Sequence, residues 1–311
     1  MKDQLYLEEV LQDIGAVETL EQGLALFQTV GMPARNLAVR TRQEYTNDLT
    51  DLLAFLHQRG VQTIAAVGLH HLEAYQATMD QRGYEPSTRK RKTYAIKTWF
   101  TFLHRHAVTV RNVADPLIPP PLPPREPRFL SEDEYQRLLR ACSHNARDAA
   151  LIEVFLQTGL RLSELARLSV SDVELPKRIT RDPDNTGLVR VTRKGGKTDS
   201  IPLNYKACLA IATYLKVRPK VDHNSLFVSK FQMPMSKRAI QHTVAVYLKQ
   251  AGIDKASVHS LRHTMATHHV ARGTDLKTVQ ETLGHASLET TTIYVSLAKK
   301  AQRKALQEHA L

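Results

Sequence analysis

Apolar positions recur at three- and four-residue intervals along most of the chain, the spacing of helices with one buried face. Residues 17–30 and 38–58 show it first, with Tyr45, Leu49, Leu52, Leu53 and Leu56 marking one side of the second segment. Residues 69–81 read as a third helix ended by Gly83, and Pro86 and Ser87 open a fourth that runs to about His106. On that fourth helix Ala95, Ile96, Trp99, Phe100 and Leu103 share an apolar face. Further on, Ser131-Glu-Asp-Glu134 has the form of a capping box, and helices are predicted at 146–159, 163–168, 206–217 and 236–251, the last opened by Ser236. One stretch changes period. From Leu188 to Leu203 β-branched residues alternate on either side of Gly195-Gly196, the signature of a hairpin. The pattern predicts a mainly helical protein with one small antiparallel sheet and no internal repeat.

Seven of the 14 prolines fall between Pro116 and Pro127. Such a run propagates neither a helix nor a central strand, so it reads as an extended linker, its twelve residues reaching roughly 37 Å at about 3.1 Å each; a proline-rich loop packed on one domain is the alternative. The expected division is 1–115, a linker at 116–128, and 129–311. Charge divides at the same place. Residues 1–115 carry 13 basic and 13 acidic side chains, whereas 116–311 carry 30 basic and 18 acidic, which is the whole net charge of +12. That surplus points to a polyanion, most simply nucleic acid. Within the neutral first part, seven basic residues and one acid, Glu85, lie between Arg82 and Arg105. This makes Arg89, Lys90, Arg91 and Lys97 candidate phosphate contacts, against the plainer reading of a solvated charged face.

Several chemistries are disfavoured. Two cysteines, Cys142 and Cys208, make neither a disulfide framework nor a four-cysteine zinc site, and read as buried apolar groups in a reducing cytoplasm. His263, His268 and His269 share one predicted helix, but no HExxH and no carboxylate within a turn accompanies them, so no metal is expected. Neither GxGxxG nor GxxxxGK[ST] occurs, which argues against ATP chemistry. No apolar run approaches the length of a membrane span, and the N-terminus is acidic where a secretory signal would be basic and then apolar.

Four short motifs remain. Thr158-Gly-Leu-Arg-Leu-Ser-Glu-Leu165 places Arg161 between two predicted helices; Lys194 sits at the hairpin tip; His259-Ser-Leu-Arg262 sets an imidazole and a guanidinium on one helical face; Leu283-Gly-His285 is followed nine residues later by Tyr294. In this order the set resembles the tyrosine recombinase (phage integrase) family. The motifs cover Thr158 to Tyr294, and Thr41-Arg-Gln-Glu-Tyr45 to Phe55 is similar to the family's helical core-binding domain. Length and layout are closest to Xer-type dimer resolvases and simple mobile-element recombinases.

The resemblance implies a four-helix, SAM-like N-terminal core-binding domain and a mixed α/β, mostly helical catalytic domain with a small antiparallel sheet. It implies that Tyr294 attacks a DNA phosphodiester, leaving a 3′-phosphotyrosyl link and a free 5′-hydroxyl. A phenol titrates near pKa ≈ 10 and needs help to ionise. Arg161 and Arg262 would hold the non-bridging oxygens, and Lys194 would protonate the leaving oxygen, with Lys197 the alternative. His259 would move a proton near the phosphate and tyrosine, His285 would donate to a phosphoryl oxygen, and Glu164 would orient Arg161. His263 reads as structural. Residues 287–296 look like a strand by pattern, but the resemblance implies a helix bearing Tyr294. Exchange of one phosphodiester for another keeps its bond energy, so no cofactor is implied.

The implied partner is duplex DNA with an inverted-repeat site, bound by a homodimer and, in synapsis, a tetramer, with or without a paralogous recombinase or accessory protein, on the nucleoid and not at a membrane. Lys237, Arg238 and Gln241 at the start of the 236–251 helix are candidate base contacts, and Ser296–Leu311 fits a helix that docks on a neighbouring subunit. Two features depart from the family pattern: the segment Lys177–Gly187 is longer than usual, and residues 3–21 carry six acids and no base. A type IB-like topoisomerase and a catalytically silent DNA-binding relative are the competing readings.

Overall fold

A computed structural model describes residues 17–123, 126–193, 196–284 and 293–299. The chain divides into two compact units, Met1–Arg125 and Glu126–Leu311.

The first unit is helical. α1 (Leu20–Leu26) begins at Thr19, whose hydroxyl accepts from the Gln22 N–H while the Gln22 side chain accepts from the Thr19 N–H. A π-helical turn, Phe27–Gly31, carries it into α2 (Met32–Ala34), so the predicted helix ending at residue 30 runs on through Pro33. α3 (Val39–His57), α4 (Leu69–Gln81) and α5 (Pro86–Arg105) end within a residue or so of their predicted bounds. Trp99 is fully buried at their centre and its indole N–H donates to the Gly23 carbonyl at 3.1 Å. The expected linker starts inside this unit. Leu117 is buried in its core and the Ile118 carbonyl accepts from Gln76, whereas residues 119–123 have no regular structure.

The second unit is built around α7. α6 (Glu132–Cys142) opens with the predicted Ser131 capping box. α7 (Ala146–Thr158) is buried along Ala150–Leu156, and its apolar residues pack against α6 and later helices. α8 (Leu162–Leu165) is shorter than predicted. The hairpin pairs β2 (Gly187–Thr192) with β3 (Thr198–Leu203) in antiparallel register, Val189 opposite Ile201 and Thr192 opposite Thr198. β1 (Val173–Glu174) adds a third strand; two residues are too few to leave a periodic signal in the sequence. The long approach, residues 175–186, is irregular and is tied by Asn185 Nδ2, which donates to Arg178 O and Thr180 Oγ1. α9 (Tyr205–Val217), α10 (Lys237–Gln250), α11 (Val258–Ala271) and α12 (Leu276–Leu283) follow. Residues 293–299 are helical, which settles that part of 287–296 against the strand pattern; 285–292 lie outside the described residues. Among the described residues no helix is long and apolar enough to cross a membrane.

The start of this unit is fastened to α11: the Leu130 N–H donates to Thr264 Oγ1 at 2.8 Å, and His268 Nε2 lies 3.0 Å from the Leu130 carbonyl. Burial lowers the His268 pKa and Arg272 adds to this, while the Leu130 carbonyl and Glu132 oppose it. The folded value therefore lies below the unfolded one. The associated stability is complete above about 6.5 and is lost as pH falls, because the unfolded chain takes up the proton first. Thermal unfolding between pH 7.5 and 5.5 is expected to show a falling midpoint, with a shallower slope in His268→Gln. Parallel slopes in the two proteins would refute this.

Candidate active site

α7 ends at Gly159, which is left-handed at φ +60 and turns the chain so that Arg161 becomes the N-cap of α8. Glu164, three residues on and 4% exposed, accepts from the Arg161 backbone N–H at 2.7 Å and from its guanidinium at 2.9 Å. The expected orienting contact is therefore present, and it uses both carboxylate oxygens. Arg161 also donates to the Gly284 carbonyl at 2.9 Å, and its side chain remains 40% exposed.

Arg262 approaches the same place from α11. It donates to the Gly159 carbonyl and, at 2.7 Å, to the Leu283 carbonyl, and it is 7% exposed. Burial, with the like charge of Arg161, pulls its pKa down to about 10, so it stays charged at neutral pH. Residues as far as 123 positions apart in sequence thus meet at one helix end, the last turn of α12.

Tyr294 joins this cluster. It is 1% exposed and packs with Met265, Val279, Leu283 and Leu297. Burial raises the pKa of its phenol, and the charge of Arg262 acts to lower it. Its hydroxyl lies 2.9 Å from Nδ1 of His263, the histidine read from sequence as structural. Burial, Arg262 and His259 all lower the His263 pKa. The two imidazoles, His259 and His263, sit four apart on one helix, and it is packing that brings His263 to the phenol. His259 itself is exposed on α11. Lys194 and His285 lie outside the described residues, as do Gly195 and the tail from residue 300. Lys197, the alternative acid, is exposed and 3.7 Å from Asp199.

One further residue escaped the sequence reading. Arg193 is 7% exposed, and its guanidinium reaches Glu164, Asp199 and the carbonyls of Thr282 and Leu283. A signal for it existed: burial alternates along Gly187–Thr192, so the next position points inward, and an inward arginine requires partners.

The expected DNA contacts divide into two groups. Lys237, Arg238 and Gln241 are all exposed on the first turns of α10. The basic run of α5 is instead largely spent inside its own unit. Arg91 pairs with Asp48, Arg89 with Asp80, and buried Lys92 with Asp48 at 3.1 Å and Asp51 at 2.6 Å. Lys97 corrects the sequence reading. Its three N–H donors go to the carbonyls of Ala114 at 3.1 Å, Asp115 at 2.5 Å and Leu117 at 2.9 Å, which occupies the whole ammonium. Of the four candidates, Arg89 and Arg91 are held in ion pairs and Lys97 by carbonyls, whereas Lys90 has neither among the described residues. Among those residues no cluster of His, Cys, Asp and Glu has metal-holding geometry.

A Cβ at position 159 would sit 2.7 Å from Met265 Cε and 2.8 Å from Leu283 Cδ2, at a φ that side chains resist. Gly159→Ala is expected to lower the unfolding free energy by about 1–2 kcal/mol for the backbone conformation alone. It should also disturb the two carbonyls that hold Arg262. Urea titration checks the first effect, and an unchanged midpoint would count against it.

Residues 128–301 match the phage integrase family, and residues 27–107 match the phage integrase N-terminal SAM-like domain. The chain is 33% identical over 310 residues to tyrosine recombinase XerD of Vibrio vulnificus strain YJ016, covering 96% of each. It is 32% identical over 320 residues to tyrosine recombinase XerC of Caldanaerobacter subterraneus subsp. tengcongensis, covering 94% of this chain and 86% of that one. The crystal structure of XerA recombinase superposes with a TM-score of 0.51 at 26% identity, covering 94% and 99% of the two chains. XerH on its palindromic difH substrate shares the fold at a TM-score of 0.70 and 21% identity, covering 98% and 89%. The chain belongs to the phage integrase family and is a tyrosine recombinase, an enzyme that breaks and rejoins DNA strands.

Proposed function

We propose that the protein is a site-specific recombinase of the Xer kind, with Tyr294 as the nucleophile that takes over a DNA phosphodiester. The observation that carries this is the meeting of Arg161, Arg262 and Tyr294, from three distant stretches of chain, at the end of α12. Two planar guanidiniums there match the non-bridging oxygens of a phosphate and the extra charge of its transition state. Lys194 is proposed as the acid for the departing 5′-oxygen, His285 as a donor to a phosphoryl oxygen, and His259 as a proton carrier at the phosphate.

A buried phenol whose pKa is raised cannot attack as a neutral group, so its proton needs an acceptor. His263 is placed for that role, and its lowered pKa keeps it neutral at physiological pH. With Nδ1 accepting from the tyrosine hydroxyl, the ring proton sits on Nε2.

XerH is seen on a palindromic site, and lambda integrase as a tetramer on a Holliday junction. By that likeness the partner is duplex DNA with inverted repeats, bound by a dimer at each site and a tetramer in synapsis. The basic surplus of residues 116–311 and the exposed Lys237, Arg238 and Gln241 support contact through the second unit. Whether the exchange resolves chromosome or plasmid dimers, or moves an element, depends on the DNA and its partners.

A nicked suicide duplex, carrying a site that the protein itself selects from a random pool, tests the chemistry. Covalent trapping is expected for the wild type, none for Tyr294→Phe, and a loss of roughly 10²–10³-fold for Arg161→Lys, which keeps charge but not the planar fork. Trapping by Tyr294→Phe would overturn the assignment. A mixture of two intact sites should yield four-way junctions; relaxation without junctions would mean a topoisomerase.

The proton acceptor has its own readout. Single-turnover cleavage is expected to rise with pH through a half-point below about 6.5, since burial, Arg262 and His259 all lower His263. His263→Ala should lose that inflection. If the inflection survives there and disappears in His259→Ala, the acceptor is His259.

A further inference from the structure

Arg193, at the end of β2, has no part in the chemistry above, yet it is buried and every face of its guanidinium is engaged. Nη1 donates to Glu164 Oε2 at 3.2 Å and Nε to Asp199 Oδ2 at 3.1 Å. Nη2 donates to the Thr282 carbonyl at 2.7 Å, and Nη1 is 3.4 Å from that of Leu283. We propose that Arg193 is a positioning residue for the arginine pair: it fixes Glu164 and the last turn of α12, and through them aims Arg161 and Arg262 at the scissile phosphate. This rests on the reading of those two arginines as the phosphate cradle.

Two features of the geometry carry it. Glu164 Oε2 is shared between the Arg161 backbone N–H and Arg193, while Oε1 takes the Arg161 side chain. Arg193 therefore sets the plane of the carboxylate that orients Arg161, and its charge helps hold the Glu164 pKa down against burial. The second feature is the row of consecutive carbonyls at the end of α12, which have no helical partner. Thr282 O takes Arg193, Leu283 O takes Arg193 and Arg262, and Gly284 O takes Arg161. Gly284 is left-handed at φ +63, and a Cβ there would lie 3.0 Å from Arg193 Cζ, so the turn closes directly onto this guanidinium. Asp199 pins Arg193 from across the hairpin, so its aim is set by the sheet. A lysine would keep the charge but could not span a carboxylate and two carbonyls from one planar group.

A packing role and a positioning role predict different substrate dependence. Arginines that neutralise a phosphate matter less when its non-bridging charge is removed. The full-length protein is tested on the selected nicked duplex in two forms, a normal scissile phosphodiester and a neutral methylphosphonate, with Arg193→Met, Arg193→Lys and, as control, Arg161→Ala. Arg193→Met is expected to bind DNA in gel shifts as the wild type does, and to lose roughly 10²-fold in single-turnover cleavage of the phosphodiester, the scale of a small misplacement. It should recover most of that loss on the methylphosphonate, with Arg193→Lys intermediate. No loss, or the same loss on both substrates, overturns the proposal. If Arg193→Met fails to fold by circular dichroism, the same comparison on Arg193→Lys decides it. Failure of Arg161→Ala to recover on the methylphosphonate would instead overturn the phosphate-cradle reading itself.

Discussion

Guanidinium groups gathered on the unpaired carbonyls at the C-terminal end of one short helix hold the second unit's polar centre together. An α-helix leaves its last carbonyls without intrahelical partners and carries partial negative charge at that end. In α12 those carbonyls receive Arg161, Arg193 and Arg262. Three cations in one small volume repel strongly unless anions or dipoles intervene. Glu164 and Asp199 supply the anions, and the carbonyls of Gly159 and α12 supply the dipoles. A protein that must meet a phosphate needs cations held in advance, and the helix end provides fixed acceptors that do not themselves neutralise a full charge.

The same constraint explains the two left-handed glycines. Gly159 presents its carbonyl to Arg262, and Gly284 presents its carbonyl to Arg161. Both positions adopt a positive φ, and both have neighbours packed where a Cβ would go. The turn at each glycine therefore serves two ends: it stops a helix and it aims a backbone acceptor at an arginine. The apolar counterpart lies alongside, where Met265, Leu283 and Leu297 enclose Tyr294. Excluding water there raises the phenol, which makes the neighbouring His263 more consequential than its place in the sequence suggests.

Much of this was legible without coordinates. The helices of the first unit, the hairpin about Gly195-Gly196, and the Ser131 and Ser236 helix starts follow rules that act over three or four residues, whereas the pairing register of the strands came from the fold. The ordered motifs carried the family and four residues of the cluster, Arg161, Glu164, Arg262 and Tyr294. Elements too short to show a period, β1 and α12, were not visible, and α12 proved to be the one on which the arginines converge.

The chain's own order of residues determined which side chains were available and which segments would be helix or strand, because propensity, capping and periodicity are local. Only the folded arrangement decided how those side chains are used. It gave the ammonium of Lys97 to backbone carbonyls, turned His263 toward the tyrosine, and drew Arg193 inward onto Glu164 and α12. Each of these outcomes depends on which donor and acceptor are brought within about 3 Å across long stretches of chain. That is a property of packing, and a cation whose partner lies ninety residues away looks, along the sequence, like any solvated charge.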